Sequence, residues 1–190
     1  MDFNSKFILL RHSQPKSFPH PWIQPHNNPL SEEGIKQANE DLSRLKEKEI
    51  DLIYSSPYDR AKQTAQIIGR NLDVEVRVEE ALKERQQGDL ENHSLSPEEV
   101  NKLWEKFREF KKLPPEEQEK KRPFPGFESD AELLSRTLNC LTKIADNNSG
   151  KTILIVTHES LIKTLLIYLE KIKLEDRDTF SVKINELIEI

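Results

Sequence analysis

Two histidines stand where short apolar runs stop. Phe7-Ile8-Leu9-Leu10 leads directly into Arg11-His12-Ser13, and Ile153-Leu154-Ile155-Val156 leads into Thr157-His158. A neutral imidazole is a nucleophile and a proton carrier near pH 7, and a neighbouring guanidinium is a fixed planar cation suited to oxyanions. Two more residues could join them. Arg60 lies just past a third apolar run, Leu52-Ile53-Tyr54, in the first turn of a predicted helix, where backbone amides already favour anions. Glu84 lies in an aperiodic stretch, Leu82 to Glu91, and could donate a proton if that loop covers the strand ends. Taken singly each has an ordinary reading: a packed or surface histidine, a surface arginine, a solvated carboxylate.

The elements that must position these residues follow from hydrophobic periodicity. Phe7–Leu10, Asp51–Ser56, Val74–Val78 and Thr152–Val156 read as strands. Ser31 reads as an N-cap with Glu32 and Glu33 in the first turn, opening a helix whose apolar face is Ile35, Ala38, Leu42 and Leu45. A second helix runs from Pro57 to Asn71, with Ala61, Thr64, Ala65 and Ile68 facing inward. Ser96-Pro97-Glu98-Glu99 is a capping box, followed by Val100, Leu103, Trp104, Phe107 and Phe110 at helical spacing, a stripe that reads as core before it reads as a ligand box. Leu113 to Gly126 is rich in proline and charge and reads as an exposed excursion. A helix from Ser129 carries Leu134, Leu138, Leu141 and Ala145 inward. Another, after His158, is built on Leu161, Leu165 and Leu169. Phe180 to Ile190 should add one or two strands.

Strand–helix alternation predicts an α/β fold, a three-layer α/β/α sandwich with a mostly parallel central sheet. Ligands in such sheets bind beyond the carboxyl ends of the strands, where both histidines fall. At 190 residues the chain is expected to be one domain, 1–190, with a helical cap insertion at about 91–128 above that edge. Between His12 and Ser31, prolines at 15, 19, 21, 25 and 29 enforce a loop. Its Phe18, Trp22 and Ile23 are expected to fold back towards the body. His20 and His26 lack an acidic or cysteine partner at ligand spacing, so no metal site is read there.

Composition excludes several classes. The net charge of -5 argues against nucleic-acid binding, and no stretch is long and apolar enough for a membrane span. The start lacks the basic and apolar regions of a signal peptide, and Cys140 is the only cysteine. A cytoplasmic protein is the expectation, with Cys140 packed on a helix rather than reactive. The sequence leaves the oligomeric state open.

Four blocks occur in an order seen in one family: Leu10-Arg11-His12-Ser13, Ser55-Ser56-Pro57 through Thr64-Ala65, Glu84-Arg85 through Glu91, and Val156-Thr157-His158. Asn28 through Ala38 and Gly126 through Ser129 are supporting echoes. The chain resembles the histidine phosphatase superfamily, branch 1, which includes the cofactor-dependent phosphoglycerate mutases. The resemblance implies a phosphoglycerate mutase-like fold and a phosphomonoesterase that needs neither metal nor cofactor and acts on a small phosphorylated substrate. It implies His12 as the nucleophile that is transiently phosphorylated, Arg11, Arg60 and His158 as ligands of the phosphoryl oxygens, and Glu84 as proton donor. Ser13, Arg85 and Glu159 complete the candidate substrate-binding set. Ser13 and Glu159 occupy positions where the family commonly has glycine. Phe18 replaces the mutases' asparagine, and their tandem arginines are missing, although Arg108, Lys111 and Lys112 lie nearby. A phosphoglycerate mutase, or a catalytically inactive member that binds phosphorylated ligands or protein partners, are the alternatives.

Overall fold

The computed structural model describes residues 3–16, 24–40, 42–91 and 95–190. The expectations for Phe18, His20, Trp22 and Ile23 lie outside them. In chain order the elements are β1 (Lys6–Arg11), α1 (Glu32–Glu40), α2 (Leu42–Lys46), β2 (Leu52–Ser55), α3 (Asp59–Leu72), β3 (Val76–Val78), α4 (Pro97–Phe110), α5 (Pro115–Gln118), α6 (Asp130–Asn147), β4 (Thr152–Thr157), α7 (Glu159–Tyr168) and β5 (Leu187–Glu189). The five-stranded sheet has the order β3-β2-β4-β1-β5. All pairings are parallel except β1 with β5, which is antiparallel.

The central strands read as continuous apolar runs because both sheet faces are covered. Alternate residues divide between two cores. Phe7, Leu9, Leu52, Tyr54, Ile153 and Ile155 pack with Leu133 and Leu141 of α6 and Leu161 and Leu165 of α7. Ile8, Leu10, Ile53, Leu154 and Val156 pack on the other face with Leu45 of α2 and Ala61, Ala65 and Ile68 of α3. Cys140 is buried, and its thiol is pushed up to about 12, chiefly by desolvation. It is therefore a packing residue. Among the described residues no helix is long and apolar enough to cross a membrane.

Register places the strand ends. Arg11 pairs with Thr157 and Ser55 with Val156, and the amides of His12 and Ser56 donate to Thr157 O and Val156 O at 2.9 and 3.0 Å. The residues that follow β1, β2 and β4 therefore emerge side by side. Between β3 and α6 the chain makes a helical excursion with its own small core. There Leu90, Phe124 and Phe127 are buried against Val100, Leu103, Trp104 and Phe107. The expected capping box of Ser96 with Glu99 forms on α4, and a second, Ser129 with Glu132, opens α6.

Three local expectations differ from what is found. Ile35 does not face inward but is 46% exposed, because Gly34 takes that side and lies against the Gln14 backbone. The stretch 113–126 is not simply an exposed excursion, since α5 forms there, Gln118 is buried by bonds to Lys111 O and Leu113 O, and Phe124 joins the small core. On α6 Leu133, not among the expected inward residues, is fully buried as Leu141 is, while Leu134 and Leu138 are only half-buried beside it.

Gly34 supplies a test of how α1 supports the loop after His12. A Cβ built there would sit 2.0 Å from Gln14 O, so the backbone must move. Overpacking of this kind costs about 1–3 kcal/mol. Gly34→Ala should lower Tm by roughly 2–10 °C in a thermal melt, and an unchanged Tm would mean that α1 does not bear on that loop.

Candidate active site

His12 is 6% exposed, at the carboxyl end of β1. Its Nδ1 lies 2.8 Å from Ser13 O, and a carbonyl can only accept, so the proton sits on Nδ1. Nε2 keeps its lone pair and accepts a 3.2 Å hydrogen bond from Arg60 Nε. Burial, then the positive charge of Arg60, push the imidazole down to about 3, against the backbone bond that favours the cation. His12 is thus held neutral with one defined nitrogen open for attack.

Arg60 reaches this position because α3 begins directly after β2. Ser56 Oγ accepts from the Tyr58 amide at 3.3 Å, and the Arg60 side chain is 4% exposed. It also donates to Pro25 O at 3.1 Å and lies 5.1 Å from the Tyr58 ring centroid. Tyr58 stacks on His26 at 4.1 Å and meets His158 edge-on at 5.1 Å. His158 is fully buried, with its ring 5.0 Å from that of His12 and its Nε2 2.7 Å from Ser56 Oγ. Burial, then the neighbouring His12, hold it well below its ordinary pKa. Its Nδ1 and the Nε of Arg11 are buried and have no hydrogen-bond partner among the described residues. Buried polar atoms are nearly always paired, so the orphaned Nε of Arg11, a residue that lines the cavity, marks a place where an oxyanion would supply the missing bond.

A cavity of about 500 Å³ opens beyond the strand ends, and Arg11, His12, Arg60, Glu84, Arg85 and Glu159 all face it. Ser13 and His158 do not. Ser13 is 1% exposed, with its amide donating to Thr64 Oγ1 at 3.1 Å, and His158 stands behind His12. Glu84 is half-buried, and its Oε2 accepts from the Ser160 amide at the start of α7 at 3.4 Å. Its loop is pinned from both sides. Thr157 Oγ1 donates to Leu82 O at 2.7 Å, while Arg136 donates to Ala81 O and Glu84 O and is paired with Glu128 at 2.6 Å.

Glu159 neither points away from the site nor stands unpaired. It meets Arg11 Nη1 at 2.9 Å, accepts from Ser181 Oγ at 2.9 Å and has Lys163 at 3.8 Å. Arg11 also donates to Val182 O at 2.8 Å. Arg85 pairs with Asp130 at 2.5 Å, and the same carboxylate holds Arg177 at 2.5 Å.

Sequence reasoning missed Tyr58, Lys163 and Arg177. Tyr58 had a signal, a large ring in the strand-to-helix turn beside Arg60. The other two had none, because their neighbours come from distant segments. His26 lies 3.7 Å from Glu91, and among the described residues no group of three His, Cys, Asp or Glu is set to hold a metal ion.

Two predictions follow from these charges. Glu159 competes with any anion for Arg11, so Glu159→Gln should tighten binding of inorganic phosphate, read as a calorimetric Kd, about fivefold, on the order of 1 kcal/mol for such a partly exposed pair. Weaker binding would show that Glu159 instead holds Arg11 in its binding position. His12 stays neutral when folded down to about pH 3, whereas an unfolded histidine takes up a proton below 6.5. Its contribution to stability is therefore complete above pH 6.5 and is lost as pH falls towards 3. His12→Gln should flatten the fall in Tm between pH 7 and 4, and an unaltered slope would show that His12 is protonated in the folded state.

Residues 7–190 match the sequence model of the histidine phosphatase superfamily (branch 1). The chain is 32% identical over 141 residues to a Bacillus subtilis protein named uncharacterized phosphatase PhoE, covering 73% of this chain and 63% of that one. It thus spans less than two thirds of that relative's length. It is 32% identical over 154 residues to phosphoserine phosphatase 1 of Hydrogenobacter thermophilus, covering 80% of this chain and 70% of that one. The solved structure of Bacillus stearothermophilus YhfR superposes with a TM-score of 0.79 at 25% identity, over 97% of this chain and 90% of that one. A mostly parallel sheet between helices, strand ends carrying His12 and His158, and a sequence match running from β1 to the last residue make this chain a member of the histidine phosphatase superfamily, branch 1.

Proposed function

We propose that the chain is a phosphomonoesterase that works through a phosphohistidine on His12. The observation that carries this reading is the His12 ring itself, buried, neutral and protonated on Nδ1 by its bond to Ser13 O, so that the Nε2 lone pair faces Arg60 and the cavity. The relatives named as phosphatases support it.

In the first step Nε2 attacks phosphorus and the phosphorus–oxygen ester bond breaks. Arg60 exchanges its bond to Nε2 for one to a phosphoryl oxygen, and Arg11 supplies a second cation beside it. Fixed positive charge aimed at the equatorial oxygens stabilises the transition state without reorganisation. His158 stands behind the His12 ring and packs against it edge-on. Glu84, on the cavity wall, gives its proton to the leaving alkoxide. In the second step water attacks phosphorus, Glu84 takes the proton, and the phosphorus–nitrogen bond returns its electrons to Nε2. The guanidinium groups provide the charge that a metal ion supplies in other phosphatases. Arg85 shapes the wall beside Glu84 through Asp130 and its bond to Glu128 O, and Ser13 orients His12 through its carbonyl.

The experiment is phosphate release from an aryl phosphate in the presence of EDTA, together with acid-quench trapping of radiolabelled phosphoenzyme. Wild type should turn over regardless of chelator and should trap label, and His12→Ala should lose both by at least about 10³-fold. Full activity in His12→Ala would end the reading. Label transferred to an added alcohol in preference to water would make the protein a mutase-type transferase.

A further inference from the structure

The cavity is far larger than a phosphoryl group requires, and what lines its outer part narrows the substrate. At about 500 Å³ it lies in the range of sites that enclose a whole small molecule. Its far wall is aromatic. Trp104, Phe107 and Phe110 of α4 and Phe127 face it, with Ile167 of α7 and Ile184 opposite. Phe107 meets Trp104 at 5.6 Å and Phe127 at 5.7 Å between ring centroids, so the rings form one continuous surface. Trp104 and Phe107 are only half-buried. The stripe that reads as core along the sequence is core on one side and cavity wall on the other.

The charges beyond Arg11 and Arg60 decide between an apolar body and a second anionic group. Each cation there already has a carboxylate. Lys111 lies 2.6 Å from Asp178, Arg85 and Arg177 share Asp130, Lys121 pairs with Glu117, and Lys163 has Glu159. Glu84 and Glu91 add further negative charge to the same wall. Asp130 is shared by two arginines and Glu159 by Arg11 and Lys163, so a second carboxylate or phosphate on the substrate would compete with carboxylates already seated on these cations. An apolar body displaces only water from aromatic surface, which is favourable in proportion to area. Two of the polar side chains are occupied, Gln118 by Lys111 and two carbonyls, and Thr164 Oγ1 by Arg85, while Gln87 Oε1, buried with no partner among the described residues, offers a neutral acceptor and no cation.

Building on the phosphomonoesterase reading, we propose that the substrate is the phosphate monoester of an alcohol with an apolar or aromatic body and no second anionic group, seated against Trp104, Phe107, Phe110 and Phe127. Phosphorylated hydroxy acids and amino acids, and bisphosphorylated sugars, fit this wall poorly.

The test is kcat/KM along a series of n-alkyl phosphates from ethyl to hexyl, with 4-carboxybutyl phosphate matched against pentyl phosphate. The leaving alkoxides have similar basicity, so differences report the body. Burial of a methylene is worth about fourfold, and hexyl phosphate should exceed ethyl phosphate at least about tenfold. The carboxylated ester should fall well below its pentyl partner. Trp104→Ala should compress the hexyl-to-ethyl ratio, and Trp104→Phe should restore most of it. A flat series, or preference for the carboxylated ester, overturns the proposal. If no ester releases phosphate, the catalytic reading fails by itself. The apolar body is then judged from the ratio of calorimetric Kd values for methylphosphonate and pentylphosphonate, where tighter pentyl binding supports the proposal and equal binding overturns it.

Discussion

The site rests on the hydrogen bond from the His12 amide to Thr157 O, the last rung of the β1–β4 ladder. It fixes which residue of each strand comes level at the carboxyl edge. Slipping the register by one residue would turn every side chain of a strand to the other face. His12 would then leave Arg60, and both cores would be inverted. Because Phe7, Leu9, Ile153 and Ile155 on one face, and Ile8, Leu10, Leu154 and Val156 on the other, are all buried, neither strand can slip. Packing on two faces thereby holds the two histidine rings 5.0 Å apart.

Within that frame, burial and charge act in the same direction on the imidazoles. Desolvation and the Arg60 guanidinium both disfavour protonated His12. An arginine this close to a buried histidine therefore has two effects, offering a cation to an incoming anion and keeping the imidazole unprotonated. The backbone carbonyl of Ser13 opposes the second effect slightly while fixing the tautomer. Ser13 thus does through its main chain what glycine would do at the same place, and its side chain stays buried away from the cavity.

What the sequence made legible was local. Apolar runs that stop at Arg11-His12, Ser55-Ser56 and Thr157-His158 announce strand ends, Ser96 announces a helix start through a capping box that forms, and Ser129 opens the helix expected from it. Arg11, His12, Arg60 and Glu84 do meet at one cavity. Pairings between distant segments were not legible. Nothing in the sequence says that Glu159 will take Arg11, that Asp130 will hold both Arg85 and Arg177, or that Val182 O will orient Arg11. Ile35 was misread because periodicity knows hydrophobicity and not clearance, and only Gly34 fits against Gln14 O. The aromatic stripe of α4 was half read, since spacing shows that a helix has an apolar face and not whether that face meets protein or an open cavity.

The small core under α4 has one more consequence. The residues around His12 hang on the sheet, whose strands are buried on both faces, whereas the aromatic wall hangs on Leu90, Phe124 and Phe127. Opening that wall requires loss of only this satellite cluster, and units that bury little apolar surface open at a small fraction of the global cost. The sheet edge that holds His12 and the aromatic wall are thus parts of unequal stiffness. Helix α4 can yield, and amide protons along it should exchange with solvent long before those of β1 and β4.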